Sequence, residues 1–149
     1  MVKYDLYKQI AELVSSSDHK ILMVWACDCV DRVLKYFEMK YPKDKRPRLA
    51  VLAGREWVKT GIFKMADVRR VALASHAAAR EVISDNVARS VARAAGQALA
   101  TAHVKTHSIA AAIYAATAIR DLADEKKAEA AVLKERDWQY QHLLNLINK

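Results

Sequence analysis

Between residues 19 and 39 the chain carries apolar or small side chains at Leu22, Trp25, Ala26, Cys29, Val33, Tyr36 and Phe37, and charged ones at Lys20, Asp28, Asp31, Arg32, Lys35 and Glu38. Steps of three and four put the first set on one side of a helix and the second on the other. The pattern predicts one long amphipathic helix over 19–39. Ser17 or Asp18 is its expected N-cap, because a short side-chain oxygen can accept from the unpaired amides of a first turn. A shorter helix over about 4–13 turns Tyr7, Ile10, Leu13 and Val14 to one side, and the polar run 15–18 closes it.

Further along, Pro47 fits the first turn of a helix over about 47–60, with Gly61 just past its end as a left-handed cap. The periodicity then predicts helices over about 66–83, 86–102, 107–122 and 125–145. Ser84 or Asp85, Thr106 and Asp124 are the expected caps of the last three. Alanine fills the inward sides of residues 72–79, 88–102 and 110–118. Small side chains let helix axes approach at the short end of the usual range of about 8 to 10 Å. Glycine and proline number only 3 and 2. The prediction is therefore an all-α, compact single-domain bundle over residues 1–149, of six to eight helices with alanine-rich, close-packed central ones. Trp25, Trp57 and Trp138 should contribute to its burial.

Composition narrows the compartment. No apolar run reaches the roughly 18 to 20 residues a membrane span needs, and the polar start MVKYDLYKQI has no signal-peptide core, which points to a soluble cytoplasmic protein with no membrane partner. Cys27 and Cys29, two apart in a helix, point to separate faces and cannot pair, and they read as small packing residues.

The net charge of +8 suits an acidic partner. Within residues 40–48 (KYPKDKRPR) five bases face one acid around two prolines, the pattern of an exposed loop with a positive tip. Lys43, Lys45, Arg46 and Arg48 are its candidate partner-facing residues.

Several side chains are candidates for chemistry. His103 and His107 lie four apart, the spacing of helical metal-binding pairs, but no HExxH context surrounds them and Thr106 is expected to turn the chain between them. They are expected instead to be structural, as buried imidazoles tying helix ends together at the junction of two helices. His76 and Arg80 form one stripe, and Arg89, Arg93 and Gln97 another, each advancing in steps of four. They make either a solvated face or a set of guanidinium groups that bond helix-end carbonyls or an anion. The candidate polar interhelical or ligand site is thus His76, Arg80, Arg93, Gln97, His103 and His107. Asp28 and Asp31 read as a charged outer face. In the tail ERDWQYQH (135–142), Trp138 reads as a core plug and Gln139, Gln141 and His142 as surface. No nucleophile–base set, phosphate loop, zinc pattern or paired catalytic acids emerges, so neither an enzyme nor a cofactor is expected.

The succession HKILMVWACDCVDRVL (19–34), KYPKDKRPRLAVLAGREWV (40–58), ASHAAAREV (74–82), ARAAGQALATAHVKTHSIAAAIYA (92–115) and ERDWQYQHL (135–143) resembles the immunity proteins of bacterial toxin systems, in particular the immunity-protein-five-like domain. The resemblance implies an all-helical antitoxin that binds and neutralises a cognate protein toxin without catalysis of its own. The basic charge departs from the acidic nucleic-acid mimicry used by many nuclease inhibitors. The alternative reading is a small basic helical module that binds nucleic acid or an anionic ligand through residues 40–48 and the surface of Arg69, Arg70, Arg89 and Arg93. A metal-dependent enzyme using His76, His103 and His107 is the third.

Overall fold

The computed structural model describes the backbone of residues 2–149 and the side chains of residues 6–149. Eight α-helices follow one another: α1 (Val2–Ser16), α2 (His19–Asp31), α3 (Leu34–Glu38), α4 (Arg46–Thr60), α5 (Met65–Glu81), α6 (Asn86–Ala100), α7 (His107–Leu122) and α8 (Ala128–Ile147), with a 3-10 turn (Glu125–Lys127) before the last. There is no strand among the described residues, and no helix is long and apolar enough to cross a membrane.

Local chemistry sets most boundaries. The Asp18 carboxylate accepts from the Lys20 amide at 3.1 Å, and that of Asp85 from the Ala88 amide at 3.1 Å, so each holds a first-turn donor that the helix itself leaves unpaired. Pro47 lies in the first turn of α4, and Gly61 ends that helix at φ 69°, a left-handed conformation that other residues adopt only with strain.

Two caps expected from the sequence are absent. Thr106 precedes α7 but makes no side-chain cap bond; instead Ser108 Oγ donates to the Lys105 carbonyl at 2.6 Å. Asp124 opens the 3-10 turn, also without a side-chain bond, and α8 starts three residues later than the helix expected there.

The long helix expected over 19–39 is broken at Arg32–Val33, where the Val33 amide bonds the Val30 carbonyl in a 3-10-like step of 2.9 Å. Val30, Val33, Leu34 and Phe37 are all buried. Their spacing stays at three and four across the break, so periodicity cannot reveal it.

α6 is the innermost helix. Its buried residues are Ala88, Ser90, Val91, Ala92, Ala94, Ala95, Gly96, Ala98 and Leu99, and α2, α4, α5 and α7 pack around it. Nearly all are small, so the neighbours lie close, and the Ser75 hydroxyl of α5 donates across the seam to the Ala92 carbonyl at 2.7 Å. Trp25 of α2 is fully buried, and its Nε1 donates to the Gln139 carbonyl of α8 at 2.8 Å. Trp57 and Trp138 are half-buried against the same core. Leu6, Ile10 and Val14 form the buried stripe of α1, with Tyr7 at its exposed edge rather than on it. The turn after α6 is held to the α1–α2 corner by Lys105 Nζ, which donates to the Ser17 carbonyl at 2.7 Å, and by His19 Nε2, which donates to the Thr101 carbonyl.

Cys27 and Cys29 are buried and free, and burial pushes the Cys27 thiol up to about 12, so both are inert packing residues.

The expectation that Gln139 is a surface residue fails. Gln139, Arg136 and Glu135 are all buried on α8, with Arg136 only 1% exposed. Arg136 Nη1 donates to Gln139 Oε1 at 3.0 Å, and Gln139 Nε2 donates to the Ala112 carbonyl at 2.9 Å. The guanidinium lies 4.0 Å above the Tyr7 ring, and its Nε and Nη2 have no partner among the described residues. Burial holds its pKa below the usual arginine value. Glu135 takes a two-pronged bond from Arg32 (2.7 and 3.0 Å), whose guanidinium lies 3.8 Å over Trp138.

Removing Gln139 would strip Arg136 of its one hydrogen bond while leaving the charge buried. Gln139→Leu is therefore expected to lower the stability measured by urea unfolding by about 2 to 3 kcal/mol. Arg136→Met combined with Gln139→Leu should recover much of that loss, because no buried charge then remains. A double variant less stable than the single one would show that the guanidinium is stabilised by more than these contacts.

Candidate functional site

The candidate loop is largely neutralised within the fold. Arg46 and Arg48 belong to α4 rather than to a loop. Arg46 pairs with Asp44 and with Glu81 at 2.7 Å each, Arg48 with Glu38 at 2.5 Å, and Lys40 with Asp85 at 3.2 Å. The Arg48 bond holds the Glu38 carboxyl below its ordinary pKa. Three of these acids come from segments outside residues 40–48, so a count of local charge overstated the positive tip. Lys43 and Lys45 remain exposed and make no ion pair among the described residues. Asp28 and Asp31 are likewise tied down: Arg55 bonds both, and His142 Nε2 donates to Asp28 at 2.7 Å. His142 stacks on Trp138 with ring centres 4.7 Å apart, so it too is half-buried rather than a free surface residue.

The histidines behave differently. α5 and α6 run side by side, and the turn after α6 closes one end of the gap between them. A cleft of about 420 Å³ lies there, lined by Met65, Val68, Arg69, Ala72, Leu73, His76, Gln97, Ala100, His103 and His107. Four of the six residues of the candidate site, His76, Gln97, His103 and His107, thus share one cleft. Arg80 and Arg93 are not in its lining, but both lie near enough to act electrostatically on His76.

Each imidazole is held in its own way. His107 Nδ1 donates to Gln97 Oε1 at 2.7 Å, the interhelical role expected of it. His103 is exposed and stacks on Phe63 (6.2 Å between ring centres, 8° between planes), so its expected burial is not found. The chain does turn between the two, since α6 ends at Ala100 and α7 begins at His107.

His76 is half-buried, and its Nδ1 is buried with no hydrogen-bond partner among the described residues. Its ring occupies the space that a side chain at position 96 would fill, because a Cβ built on Gly96 would stand 2.7 Å from His76 Nε2. Among the described residues no group of three or more His, Cys, Asp or Glu side chains is placed to hold a metal ion.

Arg89 Nη1 donates to the Ile83 carbonyl in the turn between α5 and α6 at 2.6 Å. Arg69 was named from the sequence only as part of a basic surface, and Phe63, Met65 and Leu73 were not singled out. Their signal is an apolar side chain on the outward half of a helix or just before it, which by itself is common on protein surfaces.

Burial, then the charges of Arg93, Arg80 and His107, lower the His76 pKa from 6.5 to about 4. Burial, and next His103, also lower that of His107. Between these limits the unfolded chain binds the His76 proton and the folded chain does not, so folding is favoured at higher pH and loses this contribution as pH falls from about 6.5 towards 4. His76→Gln should therefore lose less stability than the wild type between about pH 7 and pH 4.5, read from urea midpoints at the two pH values. Parallel losses in both proteins would contradict the neutral, buried imidazole.

Comparison with known proteins adds the family. Residues 12–146 match the family model described as "Imm-5 like putative immunity protein". No curated protein and no solved structure matches the chain. The matched span takes in the last third of α1, every element that builds the cleft and nearly all of α8. The match spans nearly the whole chain, and the chain belongs to this Imm-5-like family.

Proposed function

We propose that this protein is an antitoxin that neutralises a cognate bacterial toxin by protein–protein contact, without catalysis, and that it does so with the face around the histidine cleft. The observation that carries the reading is the apolar surface crowded there. Ile62 is 64% exposed, Leu73 54%, Met65 44%, Val104 40% and Phe63 38%. Met65 and Leu73 line the cleft, Phe63 stacks on His103 at its rim, and Ile62 lines a second, adjoining groove that shares Val68 with it. An apolar centre with a charged surround is the usual make-up of a protein-binding surface. Family membership supports the same role.

The basic charge supports an acidic partner surface. The exposed Lys43 and Lys45 are positioned to steer its approach rather than to anchor it. Nucleic acid is the competing partner, but a phosphate backbone would leave the apolar side chains uncovered.

The test is coexpression with a polymorphic toxin encoded beside the gene, followed by affinity measurement on the purified pair. Growth rescue is expected, with binding that weakens only modestly between about 0.05 and 0.5 M salt. Leu73→Asp, at an exposed position where the fold should tolerate it, should weaken binding at least about tenfold. Lys43→Glu with Lys45→Glu should slow association several-fold and leave dissociation nearly unchanged. Absence of rescue, or a steep salt dependence in which nucleic acid competes, would overturn the proposal.

A further inference from the structure

Of the eleven arginines, eight have a partner within the chain. Arg32, Arg46, Arg48, Arg55, Arg70 and Arg120 pair with carboxylates, Arg89 bonds a backbone carbonyl and Arg136 bonds Gln139. The three with neither an ion pair nor a hydrogen bond among the described residues are Arg69, Arg80 and Arg93. They are not scattered. Arg69 lines the histidine cleft, and Arg80 and Arg93 lie close enough to His76 to disfavour its protonation. Elsewhere the fold gives its arginines a partner, but among the described residues these three have none, beside a cleft with apolar walls.

The floor of the cleft carries two further costs. Gly96 sits inside α6, where glycine is less favourable than alanine. It makes room for the His76 ring, which then buries Nδ1 without a partner. Departures of this kind from the most stable choice are expected where a protein binds something.

We propose that the α5–α6 cleft is a socket for an acidic anchor of the partner protein: a carboxylate held by Arg69 beside the imidazoles of His76 and His107, with Arg80 and Arg93 adding positive charge from outside the lining and the apolar part of the anchor against Leu73 and Met65. The occupant's identity as part of a protein rests on the antitoxin reading; the chemistry of the socket does not. The walls select against a bare anion, because inorganic phosphate would bury apolar surface against nothing. The unpaired guanidinium groups select against a neutral or cationic group of the same shape. A carboxylate carried on an aliphatic chain satisfies both.

The socket is testable without the toxin. Hexanoate is the probe, with hexanamide, hexylamine and inorganic phosphate as matched controls, and the readout is the side-chain NMR resonances of the five histidines. His19 and His142 lie outside the cleft and serve as internal references. Hexanoate should shift His76, His103 and His107 and saturate, while the three controls bind at least about fivefold more weakly. Arg69→Gln should weaken hexanoate at least about threefold, and Arg93→Gln, outside the lining, by less. Gly96→Ala, which displaces the His76 ring, should weaken it too, and because that variant alone could disturb α6, the exposed Arg69→Gln carries the decisive comparison.

Equal binding of hexylamine or hexanamide, equal shifts at His19 and His142, or no loss in Arg69→Gln would overturn the socket. Phosphate binding as well as hexanoate would remove the apolar half of the proposal, and displacement of hexanoate by a single-stranded oligonucleotide at low salt would replace the protein anchor with nucleic acid. Selective hexanoate binding in a protein that rescues no toxin would uphold the socket and overturn only the antitoxin reading.

Discussion

The close approach of helices across α6 is the constraint from which the rest of this structure follows. Alanine, glycine and serine provide seven of its nine buried residues, so α5 and α7 lie against its backbone with little side-chain volume between. Such a seam has no slack for a polar side chain in an arbitrary place. Ser75 and Gln97 enter it with defined partners, the Ala92 carbonyl and His107, whereas His76 fits only because position 96 is glycine. Larger side chains plug the perimeter instead, with Trp25 fully buried between α2 and α8 and Trp57 and Trp138 half-buried around them.

Charge is distributed by the same economy of space. Acids and bases from distant parts of the chain meet over the ends and outer faces of the helices, as Arg32 does with Glu135 and Arg46 with Glu81. Exposed pairs of this kind add little stability, so their main consequence is to use up charge that would otherwise be open to a partner. The arginines left without a partner among the described residues, Arg69, Arg80 and Arg93, lie in or beside the histidine cleft. A net charge of +8 therefore describes the surface less well than the location of the unpaired cations does.

His76 and Arg136 show two outcomes of burying a polar side chain in such a fold. Arg136 keeps one hydrogen bond and a ring beneath its guanidinium, in the interior of α8. His76 sits at the edge of an open cleft, where burial and neighbouring positive charge keep it neutral at ordinary pH. A neutral imidazole in an apolar cleft is a weaker feature than a charged one, but it retains a ring nitrogen for hydrogen bonding without repelling the adjacent guanidinium groups.

The sequence by itself determined the helical class, most helix boundaries and the identity of the central helices, because these depend on spacing, capping side chains and alanine content within a few residues. It also singled out His76, Gln97, His103 and His107, since histidine and glutamine among alanines are conspicuous. Tertiary structure decided three further things. It broke the expected 19–39 helix at a step that leaves the buried spacing intact. It buried Glu135, Arg136 and Gln139, whose positions lie on the inward stripe of α8 with Leu143 although their residue types favour solvent. It neutralised Arg46 and Arg48 with acids from other segments while leaving Arg69, Arg80 and Arg93 without a partner among the described residues. Pairing of charges across the fold depends on which helix ends meet, and no local pattern of charge encodes that.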